Sequence, residues 1–128
     1  METPTSPFLD GDPGRIIAED RLILALWDRY PVSPGHALVV PRRVVSRLGE
    51  LTGEELEALW RWVVAIRSRL SHELDPRPAG FNLGLNDGTA AGQTVAHLHF
   101  HIIPRYEGDV PDPRGGVRWV VPGKARYW

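Results

Sequence analysis

TVAHLHFHIIP, residues Thr94 to Pro104, sets histidines and large apolar side chains in alternation. In an extended strand successive side chains point to opposite faces. The stretch therefore predicts a strand with Val95, His97, His99, His101 and Ile103 on one face. Ala96, Leu98, Phe100 and Ile102 fall on the other. The second face is apolar and suited to a core. The first lines up three imidazoles, neighbours roughly 6.6 Å apart at the usual strand rise. One strand is thus expected to serve a core on one side and a site on the other, with Pro104 ending it.

Working outward, FNLGLN (Phe81–Asn86) predicts the preceding strand, and DGTAAGQ (Asp87–Gln93) a glycine-punctuated turn. Upstream of these lies a clear helix. Thr52 with Glu55 three residues on forms a capping box. Leu56, Leu59, Trp60, Val63, Ile66, Leu70 and Leu74 then recur at three and four, as one apolar stripe. Pro76 and Pro78 stop it after about 22 residues, roughly 33 Å. RIIAED (Arg15–Asp20), RLILALWD (Arg21–Asp28) and HALVVP (His36–Pro41) predict three more strands, the first two joined at Glu19-Asp20. Residues 1–14 carry three prolines and two glycines and predict an irregular lead-in to one domain over 15–128. The tail holds a short apolar run, VRWVVP, and an aromatic end. The fold class is α+β: one antiparallel sheet of about five strands and one long helix.

The 128 residues suit a single domain with its own core. Fifteen basic against sixteen acidic side chains leave a formal charge of −1, without the cationic field that nucleic-acid binding draws on. The absence of cysteine removes disulfides, thiol nucleophiles and thiolate zinc sites. With no apolar run of membrane-spanning length and no secretory leader, a cytoplasmic protein with no membrane partner is expected.

Two chemistries use imidazoles in this pattern. One is metal ligation by His-x-His, with His36, Asp28 or Asp87 as the further ligands on offer. The other is nucleophilic and acid–base catalysis, for which a neutral imidazole nitrogen is well matched near neutral pH. His72, on the helix, predicts a solvated residue. The tryptophans, Trp60, Trp62 and Trp119 among them, predict core or subunit contacts rather than base-stacking platforms.

HLHFHII (His97–Ile103) resembles the His-φ-His-φ-His-φ-φ signature of the histidine triad (HIT) family, φ being apolar. FNLGLNDGTAAGQTVAHLHFHIIPRYEGD resembles the corresponding block of the family's Fhit-like branch, and SPGHALVVPRR a second block. The likeness covers most of residues 8–109, and the tail is similar to that of bacterial members. It implies a HIT-like domain, usually a homodimer, acting at the α-phosphate of AMP–X nucleotides through a nucleotidyl-histidine. It implies His99 as nucleophile, His97 and His101 as its partners, and Gln93 with Thr94 as phosphate and leaving-group contacts. Asn86 resembles a ribose or phosphate contact, and Asp28 a residue holding the ribose hydroxyls. His36 is similar to a phosphate-adjacent or supporting histidine, and Phe8 and Leu26 to the purine-pocket lining. A histidine at 101 favours hydrolysis over nucleotidylyl transfer. Dinucleoside polyphosphates are the expected substrates. A Hint-like purine nucleoside phosphoramidase, a nucleotide-binding module with incidental catalysis and a metal-binding protein are the alternatives. No cofactor is implied, magnesium serving only as substrate counter-ion. No zinc site is expected either, since serine and leucine stand around Pro7-Phe8 where some relatives carry zinc-binding cysteines.

Overall fold

The structure, a computed structural model, describes residues 5–128. Five strands form one antiparallel sheet: β1 (Ile16–Glu19), β2 (Ile23–Trp27), β3 (Ala37–Pro41), β4 (Gly80–Leu85) and β5 (Phe100–Arg105). Their order is β1-β2-β3-β5-β4, so the last strand inserts between β3 and β4. Among the described residues the single α-helix, α1, spans Gly53–Glu73 and lies across one face of the sheet.

The β1–β2 hairpin turns where expected. Asp20 Oδ1 accepts the N–H groups of Leu22 and Ile23. Its other oxygen accepts the Trp62 indole N–H from α1, which ties the hairpin to the helix. The capping box forms as read: Thr52 Oγ1 accepts the Glu55 N–H, and the Glu55 carboxylate accepts the Thr52 N–H. Glu55 is buried and also takes a two-pronged contact from Arg43. The Arg43 bond, with Thr52 adding to it, holds the Glu55 carboxyl at about 2.

Period-two alternation splits the sheet into two apolar layers. Ile23, Ala25, Ala37, Val39, Phe100 and Ile102 face α1 and meet Ala58, Leu59, Val63, Ile66 and Leu70. Leu24, Leu26, Leu38 and Val40 face the other way and are covered by Phe8. Phe8 belongs to a 3₁₀ turn, Pro7–Leu9, inside the stretch expected to be irregular; residues 1–4 of that stretch lie outside the described residues.

The helix stripe is narrower than its sequence pattern. Leu56 and Trp60, expected on the buried side, are 38% and 50% exposed, and with Val64 they form an apolar ridge on the open side of α1. The expected strand over 94–104 is also corrected. Ordered pairing begins only at Phe100 and runs past Pro104 to Arg105. β3 runs on to Pro41, two residues past the Val39–Phe100 pair, but the Pro41 carbonyl is taken by the His97 side chain and the Leu98 N–H donates to Val45 O, so no ladder forms ahead of Phe100. Pro104 is tolerated inside the strand for a related reason. β5 pairs with β3 only from Phe100 to Ile102, whereas Arg105 O still accepts the Ala79 N–H on the β4 side. The donor that proline lacks would have pointed to the β3 side, beyond Ala37 where β3 begins.

The tail folds into two 3₁₀ turns, Gly116–Val120 and Pro122–Lys124, anchored by the buried Ala125 and by Arg118 donating to the carbonyls of Lys124 and Ala125.

Candidate active site

Of the three triad histidines, only His101 stands on the ladder. His97 and His99 precede it, in an irregular run whose turns are set by positive φ at Gly88 and Gly92. The expected row of three imidazoles on one strand face is therefore replaced by three distinct environments.

His97 is 1% exposed. Its Nε2 lies 2.6 Å from Pro41 O and its Nδ1 2.6 Å from Ser6 Oγ. Burial pushes its pKa down, against the pull of the Pro41 carbonyl. It therefore braces the fold with both ring nitrogens engaged, rather than standing open in a row with His99 and His101 as the alternation had suggested.

His99 is half-buried, its ring 4.9 Å from that of Phe8 and 5.0 Å from that of His101. Its Nδ1 lies 2.8 Å from the carbonyl of His97. A carbonyl only accepts, so in the neutral ring Nδ1 carries the proton and Nε2 the lone pair. That is the tautomer an attacking imidazole needs.

His101 and His36 are joined through Nδ1 and Nε2 at 2.9 Å. His36 Nδ1 accepts the Val32 N–H, so Nε2 of a neutral His36 carries the proton and donates it to His101. His101 then holds its own proton on Nε2. Burial, with His99 and His36 adding, lowers the His101 pKa to about 4, against the pull of Asp28. Burial lowers that of His36 as well, again opposed by Asp28. Both rings are neutral at pH 7. Asp28 places Oδ2 3.4 Å from His36 Nε2 and 3.9 Å from His101 Nδ1, while Oδ1 accepts the Tyr30 N–H. Asp28, His36 and His101 thus bring potential ligand atoms within 4.8 Å of one another. A cation there would have to displace the proton that His36 shares with His101. The metal pair suggested by sequence, His97 with His99, does not form, because both His97 nitrogens are occupied.

Gln93, expected to touch phosphate, is 8% exposed and spends its amide on the loop. Its Oε1 accepts the Gly88 N–H, and its Nε2 donates to Ser46 O and Val95 O. With both amide hydrogens engaged it is a brace rather than a free donor. Phe8 and Leu26 are 6% and 1% exposed, packed into the second apolar layer instead of lining an open pocket. Thr94 is exposed beside this loop.

A cleft of about 1020 Å³ opens on the other side of His101, lined by His36, His101, Asn86, Gly84, Tyr106 and Trp119 among others. Gly84 pairs directly with His101, and a Cβ at Gly84 would meet open space. Two contributors escaped the sequence reading: Gly84, hidden in an unremarkable strand, and Ser6, whose contact with His97 spans 91 residues.

The model of the HIT domain matches residues 11–108. The chain belongs to the HIT domain family. This HIT chain is 40% identical over 116 residues to the AP-4-A phosphorylase of Mycobacterium tuberculosis (strain H37Rv), covering 84% of itself and 57% of that protein. It is 43% identical over 88 residues to the bis(5'-adenosyl)-triphosphatase of Dictyostelium discoideum, covering 69% of itself and 58% of that protein. The chain thus spans a little over half the length of these curated relatives. Among solved structures, a HIT family protein from Bacillus anthracis superposes with a TM-score of 0.69 at 38% identity, over 74% of this chain and 66% of that one. That likeness agrees with the α+β fold of one helix on an open five-stranded sheet. Among the described residues, no helix is long and apolar enough to cross a membrane.

Proposed function

We propose that this HIT protein is a hydrolase of AMP–X nucleotides, with dinucleoside polyphosphates as its substrate class. The observation that carries the reading is the 2.8 Å contact between His99 Nδ1 and His97 O, which leaves His99 Nε2 free to attack. The Nε2–Pα bond forms as the bridging Pα–O bond breaks, and the leaving polyphosphate takes the bridging oxygen. Water then attacks the nucleotidyl-histidine, releasing AMP and restoring the bare nitrogen. His101 offers its Nε2–H to a phosphate oxygen while charge builds, which is where a preorganised donor acts most strongly. Asp28 holds the ribose hydroxyls, and Asn86 and Thr94 contact ribose or phosphate. Magnesium accompanies the polyphosphate, and the chain needs no further cofactor. The exposed ridge of Leu56, Trp60 and Val64 supports a homodimer.

A second reading shares the intermediate. The relative from Mycobacterium tuberculosis is named a phosphorylase, which favours inorganic phosphate as the second attacking group. An oxygen of phosphate would then displace His99 from Pα and release ADP in place of AMP.

The test is turnover of diadenosine triphosphate, diadenosine tetraphosphate and adenosine 5'-phosphoramidate, with and without inorganic phosphate, by wild-type protein and His99→Gly. ATP with AMP from the tetraphosphate supports hydrolysis, and ATP with ADP only when phosphate is added supports phosphorolysis; from the triphosphate, which releases ADP in either case, AMP marks hydrolysis and its replacement by a second ADP marks phosphorolysis. Preference for the phosphoramidate points to the Hint-like alternative. Undiminished turnover by His99→Gly would sink the mechanism.

A further inference from the structure

Ser6 stands in a chain of hydrogen bonds that ends on His99. The proton on each link follows from the partners. Pro41 O can only accept, so His97 Nε2 donates to it. The Nδ1 of a neutral His97 is then bare, and the Ser6 hydroxyl donates to it at 2.6 Å. Ser6 Oγ in turn accepts the Phe8 N–H at 3.2 Å. The His97 ring is thus pinned at both nitrogens, and the Phe8 ring lies against both His97 and His99.

The same residue's backbone carbonyl holds the Nδ1 proton of His99. His97 lies ahead of β5, so no strand ladder fixes its peptide. The peptide unit between 97 and 98 is held at one end by the Leu98 N–H, which donates to Val45 O at 2.7 Å. Its other anchor is the pinned ring. The turn carrying Ser6 is itself tied down, since Arg15 Nη1 donates to Pro7 O and Arg15 Nε to Trp27 O.

We propose that Ser6 is a positioning residue: its hydroxyl fixes the His97 ring, and through the His97 carbonyl it fixes which nitrogen of His99 is bare. The proposal rests on the reading of His99 as the nucleophile. The contacts of the Ser6 hydroxyl are with His97 and the Phe8 N–H, so it acts on His99 through His97. A hydroxyl suits the task because it accepts from Phe8 and donates to His97 at once, which an alanine cannot do and a threonine can.

The test pairs kinetics on diadenosine triphosphate with ¹⁵N spectra of histidine-labelled protein at pH 7.5. Ser6→Ala should lower kcat about tenfold with KM within about twofold, the pattern of a lost alignment rather than a lost ligand contact. Its His99 should change from a single Nδ1–H species to a mixture of tautomers, and Ser6→Thr should restore both readouts. A folded Ser6→Ala protein with wild-type kcat and an unchanged His99 signal overturns the proposal, even if its unfolding midpoint is lower. Where Ser6→Ala fails to fold, wild-type spectra decide. His97 must show a bare Nδ1 and a protonated Nε2, and the reverse assignment overturns the proposal. The spectra need no turnover. Absence of activity on every AMP–X compound therefore counts against the proposed function, while an indifferent His99 signal counts against Ser6 alone.

Discussion

Nε2 of His36 donates to Nδ1 of His101 across 2.9 Å, and this bond sets which His101 nitrogen can face a substrate. His36→Ala removes the donor. The His101 ring is then free to carry its proton on Nδ1, turned toward Asp28. The expected outcome is a fall in kcat of roughly 10- to 100-fold, with a smaller change in KM. Steady-state rates on diadenosine triphosphate check it. Equal rates for His36→Ala and wild type would remove His36 from the mechanism.

Acidification should weaken the fold in two separate windows. The folded pKa of His101 is about 4, against 6.5 for the free side chain, and His36 and His97 shift in the same direction. Between these values the unfolded chain binds more protons than the folded one, so stability falls as pH drops from 6.5 toward 4. His101 alone accounts for on the order of 3 kcal/mol across that range. Glu55, held at about 2 against 4.5, contributes stability that is present above pH 4.5 and lost as pH falls toward 2. Thermal midpoints measured from pH 7.5 to 2.5 should fall in both ranges. His101→Asn should flatten the upper limb and leave the lower one in place.

Gln93→Leu strips the loop of its brace. Gly88 N–H, Ser46 O and Val95 O each lose a partner, and at about 1 kcal/mol or more per group the variant should be destabilised by roughly 2–4 kcal/mol. Amide exchange at Gly88 should quicken well beyond the global effect. An unchanged midpoint and protected Gly88 would show that the loop stands without this amide.

Gly84 pairs with His101 and leaves open space where a side chain would stand. Its backbone has no positive φ, so a larger residue fits the strand without strain. Gly84→Leu should keep the thermal midpoint within a few degrees while raising KM for dinucleotides at least fivefold, an effect on the order of 1 kcal/mol. A wild-type KM would mean that substrate does not pass over Gly84.

Much of the fold was legible because its signals are local. The capping box at Thr52 and Glu55, the proline stops after α1 and the period-two strands depend on residues near one another in the chain. What escaped depends on distant partners. The late start of β5 follows from Pro41 meeting His97, and the exposure of Trp60 from how much of α1 the sheet can cover. At the site, the pattern predicted that His99 and His101 lie side by side, and their rings are 5.0 Å apart, but it misjudged their surroundings. Alternation treats the three histidines alike, whereas each takes its tautomer from a different neighbour: Ser6 and Pro41, a carbonyl two residues back, or His36. Gln93 misled for the same reason, since its three partners lie on Ser46, Gly88 and Val95.

Pro104 has one further effect. Past Ile102 the middle of the sheet forks, β5 travelling on with β4 beyond Ala37, the residue at which β3 begins. A fork in a sheet ordinarily leaves bare N–H groups along its inner edge, and such groups attract water or a stray strand. An imino acid at that bend has none to leave. The parting of the strands past Ile102 therefore offers no N–H at Pro104 to which another backbone could add.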